Sequence, residues 1–265
     1  MPSEACFNKC LRIDYKHVKR PKKTRLGKCD TCTKLKKRKK GCAADVMYTV
    51  SRLLSTHIKL MASERSTYRR RKSKSLMEPS TYTSIILDNA DNLMLPHQCE
   101  LPKGWIRKAR RPKMMIGGLI DHGNRIRKIY VSFNWFGQGP NGPMTTLYHH
   151  LRSLREMGRL SPTLLFQADN CSRENKNRWL LAFMAMLIAK GWFSEIHLSF
   201  LYPGHTHEDI DQMFSNFSKL EDTWDCDSPP AFFNQWMKKA YVSPPFPSCE
   251  WITHNYDWKV FFKLL

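Results

Sequence analysis

A chain of 265 residues with 42% hydrophobic residues is long enough to bury a real core, as one large or two modest domains. Its net charge of +21 is uneven: residues 1–74 hold 23 Lys/Arg against 5 Asp/Glu, leaving 21 against 18 for the remainder. A basic arm on a near-neutral body selects a polyanion such as DNA through counterion release, the bland alternative being a solvated or targeting segment.

The nine cysteines are odd in number and scattered, and the opening Met1–Cys10 is polar, which argues against a disulfide scaffold and a signal peptide and for an intracellular, reducing compartment. The longest apolar run, Trp179–Ala189, has 11 residues, short of the roughly 20 needed to cross a bilayer, so no membrane partner is expected.

Residues 1–44 contain Cys29 and Cys32 as a CxxC in LGKCDTCTKLKKRKKGC. Two thiolates at this spacing reach one Zn²⁺, whose tetrahedral shell needs two further ligands, with Cys42, His57, Cys6 and Cys10 as candidates. Surface thiols in a basic arm are the alternative reading. Lys36, Lys37, Arg38, Lys39 and Lys40 suit phosphate contacts. From Asp45 to about Lys74, Val46, Val50, Leu53, Leu54, His57, Ile58 and Met61 make one apolar helical stripe. His57 falls on it, so a helix–helix contact competes with a zinc-ligand role. Arg69, Arg70 and Arg71 end this helix in a second basic cluster, suited to phosphate or to nuclear import. Glu78-Pro79 breaks the helix and marks a domain boundary near residue 78.

Tyr82–Asp88 reads as a β-branched apolar strand ending in an acid, with Asp91 just beyond. Met114–Ile120 and Lys128–Trp135, parted by Asp121-His-Gly-Asn124, read as a hairpin. A helix over 143–157, a strand Thr163–Asp169, a helix Asn175–Lys190, a strand Glu195–Tyr202 and a helix His207–Leu220 follow. The aromatic stretch 222–265 shows no period and ends on Phe-Phe-Lys-Leu-Leu265, as an interrupted element would. The expected organisation is a basic, cysteine-bearing arm and helix at 1–78, a core at 79–221 and a C-terminal extension at 222–265.

The order β-β-β-α-β-α-β-α is that of the α/β ribonuclease H-like fold, a mixed sheet whose first and fourth strands are central neighbours. Asp88 and Asp169 then adjoin, and the start of the last helix brings Asp211, or alternatively Glu208 or Asp209, towards them. Converging carboxylates raise one another's pKa and call for a cation, and hard oxygen ligands select Mg²⁺ or Mn²⁺. Two such ions support phosphodiester cleavage or strand transfer. Each acid alone is more simply a cap or turn residue. His205 and His207 either assist such a site or cap the helix, and capping is the simpler role for Glu174 and Asn175.

The blocks CDTCTKLK, HIKLMASERSTYRRR, SIILDNADNLMLPH, ADNCSRENKN and GHTHEDIDQMF, spanning about Cys29 to Phe217, resemble those of an uncharacterised eukaryotic domain family met in transposon-derived proteins and described as a domain of unknown function. The resemblance implies an integrase- or transposase-like ribonuclease H core acting on DNA, with Asp88, Asp91, Asp169 and Asp211 as the acids that match best. Asn89-Ala90 stands where that pattern has Gly-Met. A decayed or domesticated element that binds nucleic acid through its arm without cutting it is therefore the second reading.

Overall fold

The computed structural model describes residues 29–99, 111–133, 139–200, 208–221, 223–242, 244 and 246–264. Cys6, Cys10, Trp135, Tyr202, His205 and His207 lie outside them.

Two helices open the described chain. Helix α1, Asp30–Lys40, is followed after a short turn by α2, Ala44–Met77. Strand β1, Tyr82–Asn89, is buried on five consecutive positions, Thr83 to Leu87, which only a central strand covered on both faces achieves. A two-residue strand β2, Leu93–Met94, and the hairpin β3, Lys113–Asp121, and β4, Ile126–Phe133, follow. Then come α3, Asn141–Glu156; β5, Thr163–Ala168; α4, Arg178–Ala189; β6, Glu195–Phe200; and α5, Asp209–Glu221.

Helix α4 starts three residues later than the apolar pattern predicts. The backbone N–H groups of Glu174, Asn175 and Lys176 all point at the Cys171 carbonyl, which closes a turn. Asn177 then caps the helix, its side-chain oxygen accepting from the Trp179 and Leu180 N–H groups.

The strands form one seven-stranded mixed sheet in the order β6-β5-β1-β3-β4, with β2 beside β3 and the late strand β7, Ser248–Trp251, parallel to β4. Strand β1 runs antiparallel to β3 and parallel to β5, and the pairs β3–β4 and β5–β6 are antiparallel and parallel respectively. This mixed order is compatible with a ribonuclease H-like fold, the first and fourth long strands lying side by side at the centre.

Helices cover both faces. On one, Ile86, Ile116, Ile120 and Val131 meet Tyr68 of α2, Ile210, Met213, Phe214 and Phe217 of α5, and Phe232 and Trp236 of a further helix, α6, over 229–240, which contains a π-helical turn. On the other, Ile85, Leu87, Leu164 and Phe166 meet Met144, Leu147 and Leu151 of α3, Leu180 and Phe183 of α4, and Trp258 of α7, Trp258–Lys263. The aromatic stretch that shows no period in sequence therefore supplies an edge strand and a buried tryptophan to each face. No helix among the described residues is long and apolar enough to cross a membrane.

Candidate active site

The parallel pairing of β1 with β5 matches Leu87 with Ala168. One residue further, Asp88 and Asp169 are level on neighbouring strands, and the two-residue alternation turns both towards the face covered by α5. Across β1 on its other side, Asp88 pairs with Gly118 of β3. A Cβ at Gly118 would stand 2.6 Å from Met213 Cε and from Phe214 Cζ, so the missing side chain is what lets the first turns of α5 lie against the sheet. The start of α5 carries Asp211.

The electrostatics follow this placement. The Asp88 carboxyl is pushed up to about 7, first by burial and then by the negative charges of Asp169, Asp211 and Glu174, against the lowering effect of the Asn89 N–H, which donates to Asp88 Oδ1 at 2.8 Å. Asp169 Oδ1 accepts from the Asn175 amide at 2.5 Å, and the buried Asn175 Oδ1 has no partner among the described residues. Glu174, for which sequence favours a capping role, is brought back to the sheet rim by the turn around Cys171, where its Oε2 accepts from Asn89 Nδ2 at 2.9 Å.

The three acids at the start of α5 divide their roles. Asp211 Oδ2 accepts from the Glu208 N–H at 3.0 Å, the reach-back half of a capping box, and its charge acts on Asp88. Glu208 faces Arg65 at 3.7 Å. Burial pushes its carboxyl up to about 7, with Arg65 opposing and Asp209 adding to the rise. Asp209 is engaged elsewhere: it accepts from Tyr68 at 2.5 Å and from Lys72 at 2.7 Å, and lies 2.9 Å from His122 Nε2. Burial alone would raise Asp209, but His122, Lys72 and Tyr68 together hold it well below the usual carboxylate range. Asp91 is exposed in the loop after β1. The Tyr68–His122–Asp209 link escapes sequence reading because His122 sits in what reads as a plain hairpin turn.

The carboxylates at the rim are not drawn into a tight cage. Among the described residues, the one group of three or more His, Cys, Asp or Glu ligand atoms lying within 4.8 Å of one another is Cys29, Cys32 and His57, a set that could hold a metal such as zinc. Cys42 is not in it. It lies beyond the other end of α1, its Sγ donating to the Lys39 carbonyl at 3.7 Å.

The basic residues fall into two classes. Lys36, Lys37, Arg38, Lys39, Lys40, Arg69 and Arg70 are exposed, whereas Arg71 is half-buried and donates to Ser199 Oγ on β6.

Residues 106–264 match the family described as Domain of unknown function (DUF7869). The chain belongs to that family. The DUF7869 match begins after β1, so it contains Asp169, Glu174 and Asp211 but not Asp88. No curated protein matches the chain. Among solved structures, it is similar to one described as "Crystal structure of the Mos1 Strand Transfer Complex", at 14% identity and a TM-score of 0.36, over 92% of this chain and 80% of that one. A likeness of that degree does not assign the DUF7869 chain a fold or an activity.

Proposed function

We propose that this protein is a transposase-like enzyme with a ribonuclease H-like core, which cuts or joins DNA with the help of divalent metal ions held by Asp88, Asp169 and Asp211. The observation that carries the reading is the strand register that sets Asp88 level with Asp169 at the centre of the sheet, with the negative charges of Asp169 and Asp211 both acting on the Asp88 carboxyl. A partly buried cluster of like charges is costly unless a proton or a cation neutralises it.

The donors fit Mg²⁺ or Mn²⁺: all are oxygens, and the orphaned Asn175 Oδ1 adds a further acceptor beside Asp169. When bound, a pair of such ions activates an attacking water or hydroxyl and stabilises the leaving oxygen of a phosphodiester. The chain's own residues prepare the place. Asn175 fixes the Asp169 carboxylate, Asn89 holds Glu174 at the rim, and Gly118 admits the helix α5 that carries Asp211. Glu208 and Asp209 are the weaker choices for the third acid, being turned to Arg65 and to Tyr68, Lys72 and His122.

The test is nicking of supercoiled plasmid in Mg²⁺ or Mn²⁺ by the full chain. Loss of cutting in Asp88→Ala and Asp169→Ala supports the reading, and equal cutting by both variants rejects it.

A second reading has its own support in the exposed lysines of α1. It is a nucleic-acid-binding protein, derived from a transposon and catalytically silent, in which the core serves as scaffold. Binding that survives both alanine changes, with no cutting by the parent chain, selects it. Under either reading the protein acts in the nucleus, with the exposed basic run at 36–40 as its import signal.

A further inference from the structure

We propose that Cys29, Cys32 and His57 hold a zinc ion that fastens the basic helix α1 onto α2. The site lies in the arm, apart from the acids at the sheet rim.

Helix α1, DTCTKLKKRKK, has little else to hold it. Cys32 is its one buried residue, and six of its eleven residues are Lys or Arg. Isolated helices of this length are marginal in water, and like charges three and four residues apart, such as Lys36 with Lys39 and Lys40, weaken this one further. Of the buried residues of α2, Tyr68 belongs to the core of the body and Ser75 bonds the β1 backbone, which leaves Val50 as the buried apolar residue of its first half. Yet α1 folds back along α2 as a helical hairpin. Apolar burial this small is a weak fastening for a helix so charged.

The metal ligands meet at the open end of that hairpin. Cys29 stands at the N-cap of α1, with the Cys32 N–H directed at its Sγ at 3.5 Å, and His57 Nε2 comes from α2 to 3.3 Å from the same sulfur. The ligand atoms of all three residues lie within 4.8 Å of one another. In a tetrahedral site with Zn–S near 2.3 Å and Zn–N near 2.0–2.1 Å, a sulfur and a nitrogen are about 3.5 Å apart, so little movement is needed to seat an ion. Two thiolates and an imidazole select zinc over the hard cations suited to the rim acids. No disulfide joins the two cysteines.

The bland reading is a helix-capping thiol against a histidine. It accounts for one pair of atoms but not for the convergence of three ligating atoms at a seam with so little apolar contact. The fourth ligand is not Cys42, because α1 holds it about 15 Å or more from Cys29. Solvent, or a donor outside the described residues such as Cys6 or Cys10, is left to complete the shell.

The experiment uses the full chain, purified without chelator, with zinc measured by elemental analysis and Co²⁺ exchanged in for its absorption. One zinc per chain, thiolate-to-cobalt absorption in the near ultraviolet, and loss of bound metal in Cys29→Ser, Cys32→Ser and His57→Ala, but not in Cys42→Ser, are expected. Limited trypsin digestion gives a readout at the helix itself. Cleavage after Lys34 to Lys40 should be slow with zinc and at least tenfold faster after chelation, while the core resists in both states. A Cys6→Ser/Cys10→Ser variant that keeps zinc but loses part of the thiolate absorption assigns the fourth ligand to those cysteines, and unchanged absorption excludes them; the three-residue site stands in both cases. A folded chain that takes up no zinc on titration, or a Cys29→Ser variant that retains one zinc per chain, overturns the proposal.

Discussion

Tyr68, in the second half of α2, donates a hydrogen bond at 2.5 Å to Asp209, 141 residues later at the first turn of α5. His122, from the β3–β4 turn, joins the pair, 3.2 Å from the Tyr68 hydroxyl and 2.9 Å from Asp209, and its other ring nitrogen lies 3.1 Å from Ser84 Oγ on β1. One carboxylate thus ties three distant segments together and fixes where α5 begins.

Removing that carboxylate leaves His122 and Lys72 without their common partner. Asp209→Ala is expected to destabilise the chain by about 1–3 kcal/mol, the range for losing hydrogen bonds to a charged group at a partly buried site. Tyr68→Phe should cost about 1–3 kcal/mol, the range for a hydrogen bond to a charged group. Urea titrations of both variants and their double mutant provide the check, and strictly additive effects would show that the two groups do not act as a unit.

The pH dependence of the metal-free protein should carry the signature of Asp88. Its carboxyl is held up to about 7 in the folded chain, while in the unfolded chain it ionises near its ordinary 3.8. Between these values the folded state binds more protons. The stability Asp88 contributes is therefore fully present below about 4 and is lost as the pH rises through 7. Glu208 acts in the same direction over a similar window. Thermal melts from pH 4 to 8 should show Tm falling more steeply in the parent chain than in Asp88→Asn. Added Mg²⁺ should restore Tm only towards and above pH 7, where Asp88 is ionised. An Asp88→Asn profile identical to the parent's would show that Asp88 titrates normally.

Much of the sheet was legible because its strands are short apolar runs ending in turn residues, and the placement of Asp88 beside Asp169 follows from strand order alone. What stayed hidden depends on partners distant in sequence. The strand Ser248–Trp251 is four residues long, and pairing with β4 gives it its place. His122 has its partners 54 residues before and 87 after, at Tyr68 and Asp209, so no local spacing points to it. Glu174 looks like a helix-start acid, yet α4 begins only after Asn177, and the Cys171 turn swings the glutamate to the rim. Glu208 and Asp209 are set apart from Asp211 by their partners, Arg65 for the one and Tyr68, Lys72 and His122 for the other, a distinction that spacing along one helix turn cannot make.

Gly118 offers a way to move α5 without touching any acid. Its added Cβ would fall 2.6 Å from Met213 and Phe214. Gly118→Ala should therefore cost about 1–3 kcal/mol as an overpacked contact. Because α5 carries Asp211, the same variant should lose affinity for Mn²⁺ relative to the parent, measured by calorimetry on the folded protein. Unchanged stability together with unchanged Mn²⁺ binding would mean that the helix does not press on this strand.

The exposed basic face of α1 should set the salt dependence of DNA binding. Lys36, Lys37, Lys39 and Lys40 are all exposed, within a helix whose last turn is wholly basic. Each phosphate contact contributes a slope of about 0.9 to the fall of log affinity with log salt, so replacing all four by Gln should flatten that slope by up to about 3.6 on duplex DNA. Affinity at low salt should fall with it, whereas Asp88→Ala should leave both slope and affinity near those of the parent. Fluorescence anisotropy over a salt series separates the outcomes. A four-lysine variant with the parent's slope would exclude α1 as the DNA contact and turn attention to the exposed Arg69 and Arg70 on α2.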